Sequence, residues 1–308
     1  MGMVHLATQV HLSNMAMMKK ILLLSLLLTI IAGCQGQNRN KNMEKPTGIQ
    51  FSLGEPFDVF AKRYPAIKKQ HHAGPEGGAN FYQFSWLEDK PAEIKVKFDS
   101  NEVTINNAIS LMVTEFVYKN DEGITSARIK SGITYDKKIS HDEARLKFHE
   151  FLQGLLDKGW KRRLSYTHPR LSGTVAMHYM REYKSSYSLD PNYLPTMKEW
   201  MSVDRSKSMH WGLQAENKAF ISIKLQRKTD KENPDIGVYL LSISIENDQE
   251  MGRSHFLPEE KKDWNDQEKW DSTKEKFLKI RAQAEKDLLS KGYKIDESYE
   301  DYEINPRK

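Results

Sequence analysis

Only one residue in the chain carries a thiol, Cys34, and it stands directly after the one long apolar run. A lone thiol rules out an internal disulfide and a cysteine-built metal site. His71 and His72, in "KKQHHAGPEGGAN", are the next residues that could hold a metal. A zinc site needs three or four converging ligands, and neighbouring side chains point apart, so the pair reads as a solvated glycine-rich loop with no metal expected. The glycines of that loop, Gly74, Gly77 and Gly78, lack the Gly-x-x-x-x-Gly-Lys-Ser/Thr spacing that cradles phosphate. Glu88 and Asp89 precede Lys90-Pro91, where turn chemistry accounts for them. There is no Gly-x-Ser-x-Gly elbow, no His-Glu-x-x-His and no Ser-x-x-Lys set with its companions, so the sequence supports neither catalysis nor a cofactor.

What surrounds Cys34 explains its place. In "MKKILLLSLLLTIIAGCQ", Met18 to Gln35, two lysines precede an apolar run that ends in the small residues Ala32 and Gly33. That is the order of a signal peptide, and the run is shorter than the about 20 apolar residues a membrane span requires. The methionines at 15, 17 and 18 suggest a translation start at Met18. "IAGC", Ile31 to Cys34, resembles the lipobox of bacterial lipoproteins. The resemblance covers Met18 to Gln35 only. It implies that residues 1–33 are removed, that the Cys34 thiol is joined to diacylglycerol and Cys34 becomes the new N-terminus, and that the mature protein carries three acyl chains, palmitate among them. Three acyl chains make the anchor effectively permanent. With Gln35 rather than aspartate after the cysteine, the resemblance implies the outer membrane, on its periplasmic side.

The full chain has 308 residues and a formal net charge of +5. Without residues 1–33 it has 45 Lys and Arg against 42 Asp and Glu, a net charge of +3. This near balance lacks the basic excess of a nucleic-acid binder. From Gln35 to about Thr47 the residues are almost all polar, as in a disordered tether. The organisation expected is therefore a signal peptide over 1–33, the acylated cysteine and tether over 34–48, a first module over 49–167, a linking segment over 168–194 and a second module over 195–308.

The two modules rest on a repeat. "SHDEARLKFHEFLQGLLDKGWK", Ser140 to Lys161, and "STKEKFLKIRAQAEKDLLSKGYK", Ser272 to Lys294, each open with Ser-x-x-Glu and close with Leu-Leu-x-Lys-Gly-aromatic-Lys. The first pattern predicts a capped helix start and the glycine a helix stop, at Gly159 and Gly292. Upstream, Phe81 to Asp99 and Met209 to Arg227 each read as a hairpin. Glu55 to Tyr64 and Pro195 to Asp204 read as helices before them, and Ile105 to Tyr118, Ala127 to Tyr135 and Val238 to Glu246 as further strands. The fold class expected is α+β: two similar modules, each an antiparallel sheet with helices packed on one face.

Two surfaces stand out. "KGWKRR", Lys158 to Arg163, is the strongest basic cluster, and the stretch from Tyr166 to Met201 is rich in Tyr and Met. Aromatics, Met and Arg are enriched where proteins meet, so Trp160, Arg163, Tyr183 and Tyr187 are the candidate partner-binding residues; the same rings could instead pack the modules together. The function expected is a non-catalytic lipoprotein that binds another protein, in one concrete version an immunity-type protein against a periplasm-acting toxin. The alternatives are an envelope hydrolase with a site between the modules and a structural factor in envelope maintenance.

Overall fold

Alternation of apolar and polar residues builds most of this molecule. The computed structural model describes residues 45–73, 78–99, 101–136, 138–183, 186–202, 208–257, 260–261 and 264–306, with backbone alone for 118–120. The signal segment and Cys34 lie outside the described residues, as do Gly74 and Gly77. Among the described residues no helix is long and apolar enough to cross a membrane.

Eleven described strands form one mostly antiparallel open sheet: β1 Gly48–Ser52, β2 Lys68–His72, β3 Ala79–Ser85, β4 Ala92–Phe98, β5 Asn101–Phe116, β6 Ser126–Gly132, β7 Ile139–Ser140, β8 Lys161–Arg162, β9 Met209–Ala215, β10 Ala219–Thr229 and β11 Ile236–Asn247. The main order is β1-β4-β5-β6-β11-β10-β9-β8, and only the β1–β4 pairing is parallel among the named strands. The strands of the two halves thus join through β6 and β11, with Ile129 opposite Ile243.

One expected hairpin is corrected. β3 and β4 do not pair with each other; both line the long strand β5, β4 along Asn101 to Ala108 and β3 along Ser110 to Phe116. The β4–β5 register shifts between Ile105 and Ala108, near the end of the β4 stretch, where Asn107 adopts a positive φ of 56°, and such a bulge bends a strand enough to hand one edge from one partner to the next. The second hairpin, β9 to β10, forms as expected, with Glu216 and Asn217 in the left-handed conformation at its turn. His71 and His72 are also relocated: they sit on the exposed edge strand β2 rather than in a loop, and the His71 ring bonds Asn80 at 3.0 Å.

Six helices are described: α1 Phe57–Arg63, α2 His141–Asp157, α3 Gly173–Glu182, α4 Met197–Met201, α5 Asp248–Arg253 and α6 Gln267–Ser290. In α2 the buried residues Ala144, Phe148, Leu152 and Leu155 recur at helical spacing and face the sheet. Phe148 packs against Trp211 of β9 and Trp200 of α4. α2 and α6 end alike: the N–H groups of Gly159 and Trp160 bond the carbonyls of Leu156 and Leu155, and those of Gly292 and Tyr293 bond Leu289 and Leu288. Both glycines take a positive φ, 86° and 81°, as this left-handed cap demands. Their starts differ. Ser140 caps α2, but Ser272 lies inside α6, whose cap is Asp266. The polar first turns of α6 hide this earlier start.

Helices pack on both faces, not one, although on the second they leave Arg128 and Lys130 exposed. Ile221, Ile223 and Leu225 of β10 point into the main core, while Phe220 enters a second cluster with Tyr166, Met251, Trp264, Trp270 and Tyr302. α5 and the start of α6 supply part of that cluster, while Leu288, near the end of α6, belongs to the main core. α6 is fastened to the segment after β8 by ionic contacts. Glu285 accepts from Arg170 Nε and Nη2 at 2.9 and 2.8 Å, and Arg281 bonds Asp301 and the Ser165 carbonyl. The expected linking segment contains α3, whose Ala176, Met177, Tyr179 and Met180 are buried in the main core. Residues 45–308 form one compact unit.

Candidate binding face

Period-two geometry sends every second side chain of the central strands away from the main core. Cross-strand register then lines these residues up in rows. One row runs from Gly212 through Ser222 and Ser244 to Arg128 and Met112. The next runs from His210 through Lys224 and Ser242 to Lys130 and Ser110, and the third from Gln226 to Leu240 and Gly132. Ser222, Ser242 and Ser244 are half-buried, and Arg128 and Lys130 are exposed. None of the described ion pairs involves Arg128, Lys130 or Lys224. This open face is therefore a floor of serine hydroxyls studded with uncompensated cations, suited to acidic groups.

Two concave sites flank the rows. At one end Pro91, Ile109, Ile133, Tyr135, Val238 and Leu240 line an apolar groove of about 150 Å³. Tyr135 is 60% exposed, and its hydroxyl donates to the Asp89 carbonyl at 2.6 Å, which holds the ring at the rim. Leu87, 68% exposed, follows the buried Trp86 at the start of the same β3–β4 connection.

At the other end is a polar cleft of about 400 Å³, with Arg163, Ser222, Glu246, His255 and Tyr302 among its lining. The Arg163 guanidinium lies 6.0 Å from the Phe220 ring centre and 5.7 Å from that of Tyr302, and Nη2 donates to Ser222 Oγ at 2.9 Å. His255 sits between the Met251 carbonyl, 2.8 Å from Nδ1, and the Tyr302 hydroxyl, 2.9 Å from Nε2. A carbonyl only accepts, so Nδ1 carries the proton and Nε2 receives the tyrosine O–H. Burial pushes the His255 pKa down to about 4, with the nearby Arg163 charge acting in the same direction against the Met251 bond. Burial raises that of Tyr302, with Arg163 opposing it.

The four expected partner-binding residues separate in the structure. Trp160 is 2% exposed and packs edge-on against Phe98; it follows the α2 cap directly and turns into the core. Tyr187 is fully buried, with its hydroxyl bonded to the Pro169 carbonyl and the Leu171 N–H, and burial pushes its pKa up to about 12. These two rings are core, which corrects their expected role as accessible anchors. Tyr183 is 43% exposed, stacked on Tyr179 and outside the lining of the polar cleft. Arg163 lines the cleft, and it is the one expected residue that belongs to the face described here. Sequence reading missed Arg128, Lys130 and Lys224, whose only signal is their place at polar positions of alternating strands, and the His255–Tyr302 pair, which left no local signal.

A mixed α+β protein with an open cationic sheet face is the class the fold and site define. No protein-family model, no curated protein and no solved structure matches the chain.

Proposed function

We propose that the chain is a lipoprotein, anchored through Cys34 to the outer membrane on its periplasmic side, that binds another protein through the open face of its sheet and catalyses nothing. The observation that carries this reading is the run of serines and uncompensated cations, Arg128, Lys130 and Lys224, ending in the groove that displays Tyr135. Protein contacts favour that combination, an aromatic anchor beside charges that select the partner. An immunity-type role against a periplasm-acting toxin is its most concrete form, because an acidic surface on a toxin would suit these cations.

Two α+β modules related by duplication fit this reading. The meanders β4-β5-β6 and β9-β10-β11 meet at β6 and β11 and are each followed by a long helix with the same glycine cap. One observation favours a hydrolase: Ser254 Oγ lies 3.4 Å from His255 Nδ1. That nitrogen already donates to the Met251 carbonyl, however, and a histidine with a pKa of about 4 is a weak base near neutral pH.

The test combines labelling and capture in the native host. The wild type should incorporate a fatty-acid analogue that Cys34→Ala does not. Wild-type protein should crosslink a partner that the double variant Arg128→Glu, Lys130→Glu loses, with unfolding free energy unchanged within about 0.5 kcal/mol because both residues are at the surface. Equal capture by the double variant would refute the open face as the docking surface, and equal labelling of Cys34→Ala would refute the anchor.

A further inference from the structure

The polar cleft holds two opposite charges that do not meet. Arg163 makes no ion pair with any described carboxylate; its described polar bonds are to Ser222 and the Tyr302 hydroxyl, and its Nε is buried without a hydrogen-bond partner. The other half-buried or buried arginines on this side of the fold are matched: Arg253 by Glu122 and Glu250, Arg281 by Asp301, Arg170 by Glu285. Glu246 lines the same cleft, and its described contact is the Ser244 hydroxyl at 2.8 Å.

Register fixes how far apart the two serines that hold these charges stand. Ser222, which receives the Arg163 bond, is directly opposite Ser244, which donates to Glu246. Opposed cross-strand residues place their Cβ atoms about 4.5–5.5 Å apart. Arg163 follows β8, and its guanidinium reaches across to Ser222 of β10, while the Glu246 carboxylate stands on the neighbouring strand β11; the two form no direct ion pair, and the two opposed serines between them leave a gap that one small molecule can bridge. Both charges are half-buried and lack a counter-ion among the described residues, and a ligand carrying the reverse pair would supply one to each. An α-amino acid carries its carboxylate and ammonium two bonds apart, and two charge-assisted hydrogen bonds of about 2.8 Å would span the remaining gap. Met251 and Phe277, also in the lining, offer apolar surface to its side chain.

We infer that this cleft is a binding site for a free α-amino acid, whose carboxylate is held by Arg163 and whose ammonium is held by Glu246. The proposal is independent of the protein-binding reading, which rests on the cation rows and the apolar groove. Ser165, Thr167 and Ser254 also line the cleft.

The test is calorimetric titration of the full chain, purified in detergent, with alanine, leucine, acetate and ethylamine. Either amino acid should bind with a dissociation constant of about 1 mM or tighter, and acetate and ethylamine at least tenfold more weakly. Glu246→Gln should weaken the amino acids about tenfold or more while leaving acetate at least as tight, and Arg163→Gln should abolish binding of both. If Arg163→Gln fails to fold, Glu246→Gln decides alone. No heat from either amino acid on folded wild type, acetate binding as tightly as alanine, or unchanged amino-acid affinity in Glu246→Gln would each overturn the assignment.

Discussion

Replacing His255 by asparagine should remove a defined share of the protein's acid sensitivity. The folded chain holds this imidazole neutral, with a pKa of about 4, chiefly because it is buried. In the unfolded chain it titrates near 6.5. As pH falls below 6.5 the unfolded state takes up a proton that the folded state refuses, so stability is lost between 6.5 and 4 and the loss from this group levels off below that. At about pH 4.5 the interval crossed is about two pH units at about 1.4 kcal/mol each, less a small correction for protonation of the folded state, or about 2.5 kcal/mol. Asparagine keeps a donor for the Met251 carbonyl and does not titrate. Urea unfolding of wild type and variant, extrapolated to water near pH 7.5 and pH 4.5, isolates the term. His141, His149 and His210, also lowered by burial, contribute equally to both proteins and cancel. The wild type should lose about 2.5 kcal/mol more than the variant over this range; equal losses would show that His255 is not held neutral in the fold and would refute the geometry drawn between Met251 and Tyr302.

Trp160→Ala should destabilise the protein by about 3–5 kcal/mol, as truncation of a buried aromatic does, and thermal denaturation should register it as a large drop in Tm; an unchanged Tm would mean the ring is not core. Glu285→Gln should cost about 2 kcal/mol by breaking the paired bonds to Arg170, read by urea unfolding, and the deficit should shrink as pH falls far enough to protonate Glu285 in the wild type, because Arg170's hydrogen bonds outweigh burial and hold that carboxyl below its ordinary range.

The sequence was legible where structure is local. The α2 cap at Ser140, the stops at Gly159 and Gly292 and the β9–β10 turn each depend on a few adjacent residues, and the α+β class follows from them. Pairing partners are another matter. Phe81 to Asp99 has the pattern of a hairpin, yet the 16-residue length of β5 and its bulge at Asn107 decide that both strands lie along β5 instead. β2 has every residue exposed, so no alternation marks it. The cationic face was invisible for the same reason: Arg128, Lys224 and Ser244 are unremarkable on their own strands and converge only through register. Trp160 and Tyr187 belong to residue types that serve interfaces and cores alike, and burial, not type, separates them.

The seam between β6 and β11 has a consequence for how the chain reaches this state. Ile129 must find Ile243, so the ladder that unites the sheet closes only after more than a hundred intervening residues are in place. The entropic cost of so long a loop grows only with the logarithm of its length, but contacts this distant in sequence slow folding. β6 precedes β11 along the chain, and until β11 arrives β6 is an edge that can recruit a strand from another chain. Arg128 and Lys130 lie on that edge strand, and charged side chains are the usual guard against such pairing. The two cations thus stand where an unpaired β6 would otherwise present an uncharged edge.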